Sequence, residues 1–397
     1  MRGNSRSLPG VAVLAIATAI ALGGSALASP AGAAEAAPAG SGRPLVWNET
    51  SVGTVSIQGL AEPDGHTTWA SGMKVVEGGA PGFVTFIPAL YSRDLRGVGG
   101  WRRVTLPSTT VDSRLNDVDA VSANVGFMVG DLDSKAGVLL TEVRERGTWR
   151  VVTDAVDAGA IAGSLLAVDA LTAKNAWAVG DVQIDSPEEG SYVKPLVRNW
   201  DGARWRHVDI PGSKNWSLSG ATAVSAKNVW AVGTDNAQGQ PLTVHYDGVS
   251  WKRVPAPSYK DSGILINVTS GSGRDVWAVG WYREEEKERP RGLVLHYDGR
   301  KWNEVPLPAG TFMVTSVAAT RNGVVVVGGG DDGVVGLRLV GGKWRSLGLP
   351  QSDDPRTGRG VWTVSASGNR LTVSGYTFLV GDDSNEFVSS SLLTTDR

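Results

Sequence analysis

The chain contains no cysteine. That absence excludes disulfide stapling, thiolate metal sites, thiol nucleophiles and lipid attachment through an N-terminal cysteine. Histidine is nearly as scarce: His66, His207, His245 and His296 are the only four in 397 residues. No two of them sit at the short spacing on one element that two-histidine metal sites use, so no metal is expected. Charge of one sign is lacking too. The net charge is −2 and the basic residues are scattered, whereas nucleic-acid binders carry a basic patch or stripe, so nucleic acid is not an expected partner. The apolar stretch at residues 11–22 has twelve residues, short of the roughly 20 that a helix needs to cross a bilayer.

What is present at the N-terminus reads as an export signal. Arg2 and Arg6 precede the apolar stretch, and small residues follow around Ala26-Leu27-Ala28, the layout of a secretory signal peptide over residues 1–28 with cleavage after Ala28. Residues 29–44 are rich in Ala, Pro and Gly and have too little apolar surface to offset the entropy of ordering, so a flexible leader is expected there. No apolar tail or sorting signal follows the last repeat. The expectation is a secreted, extracellular product with no membrane insertion.

The rest of the chain repeats itself. One landmark is an apolar strand ending in glycine: Asn175-Ala176-Trp177-Ala178-Val179-Gly180, Asn228-Val229-Trp230-Ala231-Val232-Gly233 and Asp275-Val276-Trp277-Ala278-Val279-Gly280, with weaker copies ending at Gly72, Gly130, Gly328 and Gly375. The other is a turn leading into tryptophan: Asp201-Gly202-Ala203-Arg204-Trp205, Asp247-Gly248-Val249-Ser250-Trp251 and Asp298-Gly299-Arg300-Lys301-Trp302, with looser versions at Trp47, Trp101, Trp149 and Trp344. The two alternate without a miss from Trp47 to Gly375, seven of each, and successive glycines are 47 to 58 residues apart. That period suits four short strands with their turns, and the 3.6-residue periodicity of helical solenoids is absent.

One unit reads strand by strand: A over residues 221–226, B over 229–233, C over 241–246 and D over 251–254. The Asp247-Gly248 pair is expected to supply the positive φ angles of a tight hairpin. Pro255 and Pro257 stop the last strand, because proline cannot donate to a ladder. Strand B is apolar on both faces, as a sheet covered on both sides must be. The chain opens on a D-type strand at residues 45–52 and ends on a C-type strand at 387–394 that has no D strand after it. Pairing the first strand with the last three removes an exposed edge and closes a ring. The expected fold is therefore an all-β, seven-bladed β-propeller over residues 45–397, with four-stranded antiparallel blades closed by the N-terminal strand.

On Tyr246 to Trp251, Tyr297 to Trp302 and the Val-Trp-Ala-Val-Gly strands, the chain resembles secreted bacterial propeller proteins of the actinobacterial type. That resemblance implies architecture and export and carries no catalytic residue. The turn also looks like the Asp box of sialidase-type propellers, Ser-x-Asp-x-Gly-x-x-Trp, but here Asp and Gly are adjacent. The Gly-His and Trp-Asp pattern of WD40 repeats is missing.

No catalytic constellation stands out. His245 and His296 occupy the same slot before Tyr-Asp-Gly in successive units, which makes them structural equivalents on strand C. Asp331-Asp332, Asp353-Asp354 and Asp382-Asp383 are expected as solvated loop charge without EF-hand spacing. The alternating charges from Arg283 to Arg291 read as a loop between strands B and C.

Functional residues concentrate on loops that a rigid scaffold holds, and the B–C and D–A loops, on one face of the ring, are the longer ones. Aromatic residues expected in these loops are Tyr192, Trp216, Tyr259, Trp281, Tyr282, Phe312, Tyr376 and Phe378, with Arg283 beside them. Trp216 and Tyr282 lead as candidates, because they lie outside the repeated strand slots and suit hot-spot contacts or stacking on a sugar. The sequence thus points to a non-enzymatic module that needs no cofactor and binds an extracellular protein or cell-surface glycan, such as a lectin-like or adaptor subunit of an antibacterial, toxin-type assembly. The alternative is an extracellular polysaccharide hydrolase or lyase with acidic and tyrosine residues at the mouth of a central channel.

Overall fold

A computed structural model describes residues 45–77, 84–96, 99–107, 113–131, 138–152, 154–156, 159–286, 288–321, 323–380 and 386–395. The export signal, the leader and Asp382-Asp383 lie outside the described residues.

The strands form seven separate antiparallel sheets. Strands A are Val55–Ala61, Arg114–Ser122, Ala160–Thr172, Trp216–Ser225, Ser262–Ser272, Thr311–Thr320 and Thr357–Ser367 for blades 1 to 7. Strands B follow as Thr67–Glu77, Val125–Asp131, Asn175–Ser186, Asn228–Asp235, Asp275–Arg283, Gly323–Gly330 and Arg370–Leu379. Strands C are Val84–Asp94, Val138–Glu145, Gly190–Trp200, Gln240–Tyr246, Arg291–Tyr297, Gly333–Val340 and Glu386–Thr395. Strands D of blades 1 to 6 are only three or four residues long: Arg102–Val104, Thr148–Val151, Trp205–His207, Trp251–Arg253, Trp302–Glu304 and Lys343–Ser346. Blade 2 adds the short strand Asp154–Ala155 beside strand C.

The D strand of blade 7 comes from the start of the chain. Trp47–Gly53 pairs antiparallel with Glu386–Thr395, in the register Trp47↔Thr395 to Ser51↔Ser391. The closure is fastened by the Trp47 indole, whose Nε1 donates to Leu347 O at 3.0 Å, and by Arg359 against Glu49 at 2.9 Å. Each A strand contacts the A strand of the next blade, and the seventh contacts the first. The A strands therefore form the inner ring, with their free edges toward the axis.

Both sequence landmarks have a physical cause. Every A strand carries one extra residue opposite strand B: Gln58, Asn116, Leu166, Ser219, Ile266, Thr315 or Trp362. Such a bulge bends the strand and sharpens its twist. Beside it, a Cβ on Gly233 would lie 2.0 Å from Ser217 O, and one on Gly72, Gly130 or Gly180 would lie 1.9 Å from the matching carbonyl. Only glycine admits that approach. Blade 7 is looser, because a Cβ on Gly375 would meet nothing nearer than Ser391 Oγ at 3.4 Å.

The tryptophans pack across blade boundaries. The D-strand Trp251 meets the B-strand Trp177 of the preceding blade edge to face at 5.8 Å, Trp302 meets Trp230 at 5.6 Å, and Trp149 meets Trp69 at 5.3 Å. Phe127 takes the inner position against Trp205 at 5.9 Å. Each such pair adds about 0.5–1.5 kcal/mol beyond its burial. The core is correspondingly divided into seven clusters, one in each gap between neighbouring blades.

The Asp-Gly turn differs from the expected hairpin. Gly202, Gly248 and Gly299 have φ of +97°, +93° and +90°, while the preceding aspartates do not enter the positive region. The loop has four residues, since Tyr246 pairs with Trp251. Asp247 acts through its carboxylate, with Oδ1 accepting the N–H groups of Val249 and Ser250, each at 3.0 Å. Asp201 and Asp298 do the same. The two-residue hairpin with positive φ at both positions occurs instead at Arg146-Gly147 in blade 2, where φ is 50° and 84°, and at Gly341-Gly342 in blade 6, where φ is 57° and 75°.

Strand A is also longer than expected in blade 4, beginning at Trp216. His245 and His296 do occupy one slot: His245 Nε2 bonds Asn228 Oδ1 and its ring lies on Trp230, while His296 Nε2 bonds Asp275 Oδ1 and its ring lies on Trp277.

Gly233→Ala is expected to cost about 3 kcal/mol, as overpacking against backbone does, whereas Gly375→Ala is expected to cost under about 1 kcal/mol. Urea unfolding of the two variants checks this, and equal losses would contradict the role assigned to the bulge carbonyl.

Candidate functional site

The A–B and C–D turns occupy one face of the ring, and the B–C and D–A connections the other. On the second face, cations lie over aromatic rings at five places. Arg114 Cζ is 4.2 Å from the Phe86 centroid, Lys214 Nζ is 4.6 Å from Tyr192, and Arg253 Cζ is 5.5 Å from Trp216. Arg283 lies 5.3 Å from Trp281, and Arg289 lies 4.6 Å from Phe312. All five rings are half-buried. Four of the cations also pair with carboxylates: Arg253 Nη1 reaches Asp235 Oδ2 at 2.8 Å, Lys214 reaches Glu189 at 3.3 Å, Arg289 pairs with Asp331, and Arg114 lies 3.9 Å from Asp131. A cation over an aromatic face contributes about 0.5–1 kcal/mol at such exposed positions.

The aromatic residues expected in loops stand mostly on strand ends. Tyr192 lies on strand C of blade 3, Trp216 opens strand A of blade 4, and Trp281, Tyr282 and Arg283 end strand B of blade 5. Phe312 lies in strand A of blade 6, and Tyr376 and Phe378 lie in strand B of blade 7. Tyr259 alone sits in a connection. The reason is that ladder pairing continues past the short D strands: Trp216 pairs with Asp235, and Tyr282 with Gly263.

The structure brings some of these residues together. Tyr259 stacks on Tyr282 with centroids 4.1 Å apart and 24° between planes, and its hydroxyl donates to Glu304 Oε2 at 3.0 Å. Burial, followed by the charge of Glu304, pushes the Tyr259 phenol well above its usual range. Tyr376 is 8% exposed, stacks on Trp362 at 4.9 Å and approaches Phe378 at 5.9 Å. It lies so close to strand A that a Cβ on Gly360 would meet its ring. Tyr376 is therefore mainly a packing residue, while Trp216, Tyr192 and Phe312 stand in separate blade junctions.

Sequence reading missed the cations Arg114, Lys214 and Arg253, and also Phe86, while Arg289 belongs to the charge run from Arg283 to Arg291. One signal was available. The second residue after the turn tryptophan is His207, Arg253 or Glu304, and each serves this face: His207 bonds Asp209, Arg253 covers Trp216, and Glu304 holds Tyr259.

The inner ring carries half-buried carboxylates. Asp117 Oδ2 accepts Val168 N of the next blade at 2.9 Å, and Asp119 Oδ2 accepts Ala170 N at 2.7 Å. Asp169 in turn is bonded by Ala223 and Thr222. Asn267 takes the slot of Asp117 in blade 5, toward Val317 N at 3.4 Å, and Ser316 takes it in blade 6, toward Val364 N at 3.2 Å. These side chains satisfy donors on the free edges of the A strands and stitch neighbouring blades together. Burial is the largest cause that pushes Asp117 up to about 7 and Asp169 up to about 6, and it raises Asp119 as well. All three keep partial solvent contact, which moderates the penalty. Each is engaged by backbone donors, and among the described residues no arginine or tyrosine pairs with them. Among the described residues, no group of three or more His, Asp or Glu is arranged to hold a metal ion.

These shifts set a direction for stability. The folded values lie above the unfolded carboxylate value of about 4, so the folded state binds extra protons between about pH 4 and 7, and stability falls as pH rises through that window. Asp201 and Asp354, held at about 2 mainly by backbone and arginine donors respectively, act oppositely and lose their contribution on acidification below about 4. The melting temperature is expected to be higher at pH 5 than at pH 8. Asp117→Asn should flatten that slope by at least about 1 kcal/mol across the range; an unchanged slope in differential scanning calorimetry would refute the assignment.

No protein-family model matches the chain, and no curated protein matches it. Solved structures do. YCF48 bound to D1 peptide is 16% identical with a TM-score of 0.56, the match covering 91% of this chain and 97% of that one. YCF48 from Cyanidioschyzon merolae is 13% identical with a TM-score of 0.53, over 88% of this chain and 98% of that one. At such identities the likeness concerns the fold, and it agrees with the seven antiparallel sheets, each built on four strands: the chain is a seven-bladed β-propeller.

Proposed function

We propose that the chain is an exported, non-enzymatic binding module that holds a protein partner on its B–C/D–A face. The observation that carries this reading is the set of five cation–aromatic pairs on that one face. Tryptophan, tyrosine and arginine are the side chains that dominate protein–protein hot spots, because they present large, stiff apolar area beside a polar tip. A propeller similar in fold has been solved with a peptide bound, which supports the choice of a protein over a glycan. Half-exposed rings such as Trp216 and Tyr282 also suit stacking on a sugar, so the lectin-like form is the second reading. Within the first, an adaptor subunit of an extracellular toxin-type assembly is the specific role. Export rests on the pattern of residues 1–28. Among the described residues, no helix is long and apolar enough to cross a membrane. The hydrolase or lyase alternative has less support, since Asp117, Asp119 and Asp169 are committed to backbone N–H groups of the inner strands.

The test uses the protein purified from culture supernatant. Its N-terminal residue is expected to be Ser29. Affinity capture with the wild type is expected to recover one stoichiometric protein, and the Trp216→Ala, Tyr282→Ala double variant is expected to bind it at least about tenfold more weakly, the effect of losing about 1.4 kcal/mol. Arg300→Ala, on the opposite face, should leave binding unchanged. Equal capture by the double variant defeats the site, and binding to a glycan array alone defeats the protein-partner reading in favour of the lectin-like one.

A further inference from the structure

The opposite face carries a pocket of about 370 Å³ lined by Gly65, Arg321, Ser367, Gly368, Asn369 and Arg370. These residues belong to the A–B connections of three successive blades, the sixth, the seventh and the first. In blades 6 and 7 the connection has two residues, between Thr320 and Gly323 and between Ser367 and Arg370. In blade 1 it is longer, running from the end of strand A at Ala61 to the start of strand B at Thr67. The longer loop leans over blade 7, where Arg370 Nη1 donates to Gly65 O at 3.3 Å. The pocket is thus a product of ring closure, formed where the first blade meets the last.

Its charges are unequally satisfied. Arg370 is 7% exposed and spends one N–H on Gly65 O, with Glu62 Oε2 3.9 Å away. The Glu62 carboxylate pairs with Arg370 through Oε2, while its Oε1 accepts Ser365 Oγ at 3.1 Å and Thr372 Oγ1 at 2.9 Å, and Ser367 bonds it as well. Asp64, the other acid of the loop, accepts the N–H groups of His66 and Thr67 within its own turn. Arg321 is exposed and has no ion pair among the described residues. Two guanidinium groups therefore line the pocket, that of Arg370 held in place by Gly65 O and Glu62 and that of Arg321 exposed, with Ser367 and the Asn369 amide beside them. Guanidinium donors arranged in a fork match the oxygens of carboxylate and phosphate.

We propose that this pocket binds the compact oxyanion group, carboxylate or phosphate, of a small molecule, with Arg321 as the accessible cation and Arg370 as the fixed one. The site lies on the face away from the aromatic pairs, so it stands or falls independently of the partner reading.

Titration calorimetry of the full secreted protein with inorganic phosphate and, separately, with citrate tests it, at ionic strength matched with sodium chloride. Saturable heat with one or both anions is expected; phosphate alone identifies a phosphate site, citrate alone a carboxylate site. Arg321→Gln, an exposed change that removes no contact of the fold, is expected to weaken binding at least about tenfold, while Arg300→Gln on the same face leaves it unchanged. Absence of saturable heat with both anions, or equal affinity in Arg321→Gln, overturns the proposal. Capture of the protein partner should be unaltered in Arg321→Gln.

Discussion

The approach of a strand-A carbonyl to a strand-B glycine underlies most of this structure. At the bulge, Ser217 O and its counterparts sit where a side chain on the facing strand would have to be. The extra residue turns strand A toward the axis and exposes its free edge to the channel, where unpaired N–H groups need acceptors. Side chains from the preceding blade, Asp117, Asn267 and Ser316, supply them. The inner ring is therefore held by side chain to backbone bonds, and the carboxylates used for this purpose bear the cost of partial burial as raised proton affinity.

Farther from the axis the first five blades adhere by aromatic pairs across their four shared boundaries. The slot filled by Trp69, Trp177, Trp230 and Trp277 in blades 1, 3, 4 and 5 holds Thr372 in blade 7. Its hydroxyl bonds Glu62 of blade 1, which Ser365 also reaches, with Arg370 nearby. The ring thus closes on a polar cluster at the position where tryptophans meet in the first blades, beside the apolar cluster of Val55, Ile57 and Leu392. Such a cluster adds little net stability but penalises misregistered pairing, because a displaced Glu62 or Arg370 would be buried without partners. The sheet of blade 7 adds the main-chain ladder from Trp47 to Gly53.

The two faces of the ring differ in chemistry for a topological reason. On the A–B and C–D side, turns are short and their aspartates are consumed by their own loops. On the other side, strands A, B and C extend beyond the three-residue D strands, and their ends carry rings and cations that the next blade only half covers. Large amphipathic side chains remain accessible on a rigid base, a combination that favours association with a macromolecule. The pocket of the first face arises only where one A–B connection is longer than the rest.

By itself the sequence determined the repeat. Fourteen alternating landmarks fix seven sheets, and an unpaired D strand at the start fixes how the ring closes, because strand periodicity and edge pairing are local constraints written into residue type. The Asp-Gly turn was legible in place but not in mechanism, since aspartate acts through its carboxylate and not its backbone angle. Arg253 over Trp216, Arg289 over Phe312 and the pocket of Arg321 and Arg370 were not legible. These residues are 37, 23 and 49 positions apart in the chain, and only stacking of blades brings them into contact. Which side chains meet across a blade boundary depends on register and bulge geometry, and those are properties of the closed ring.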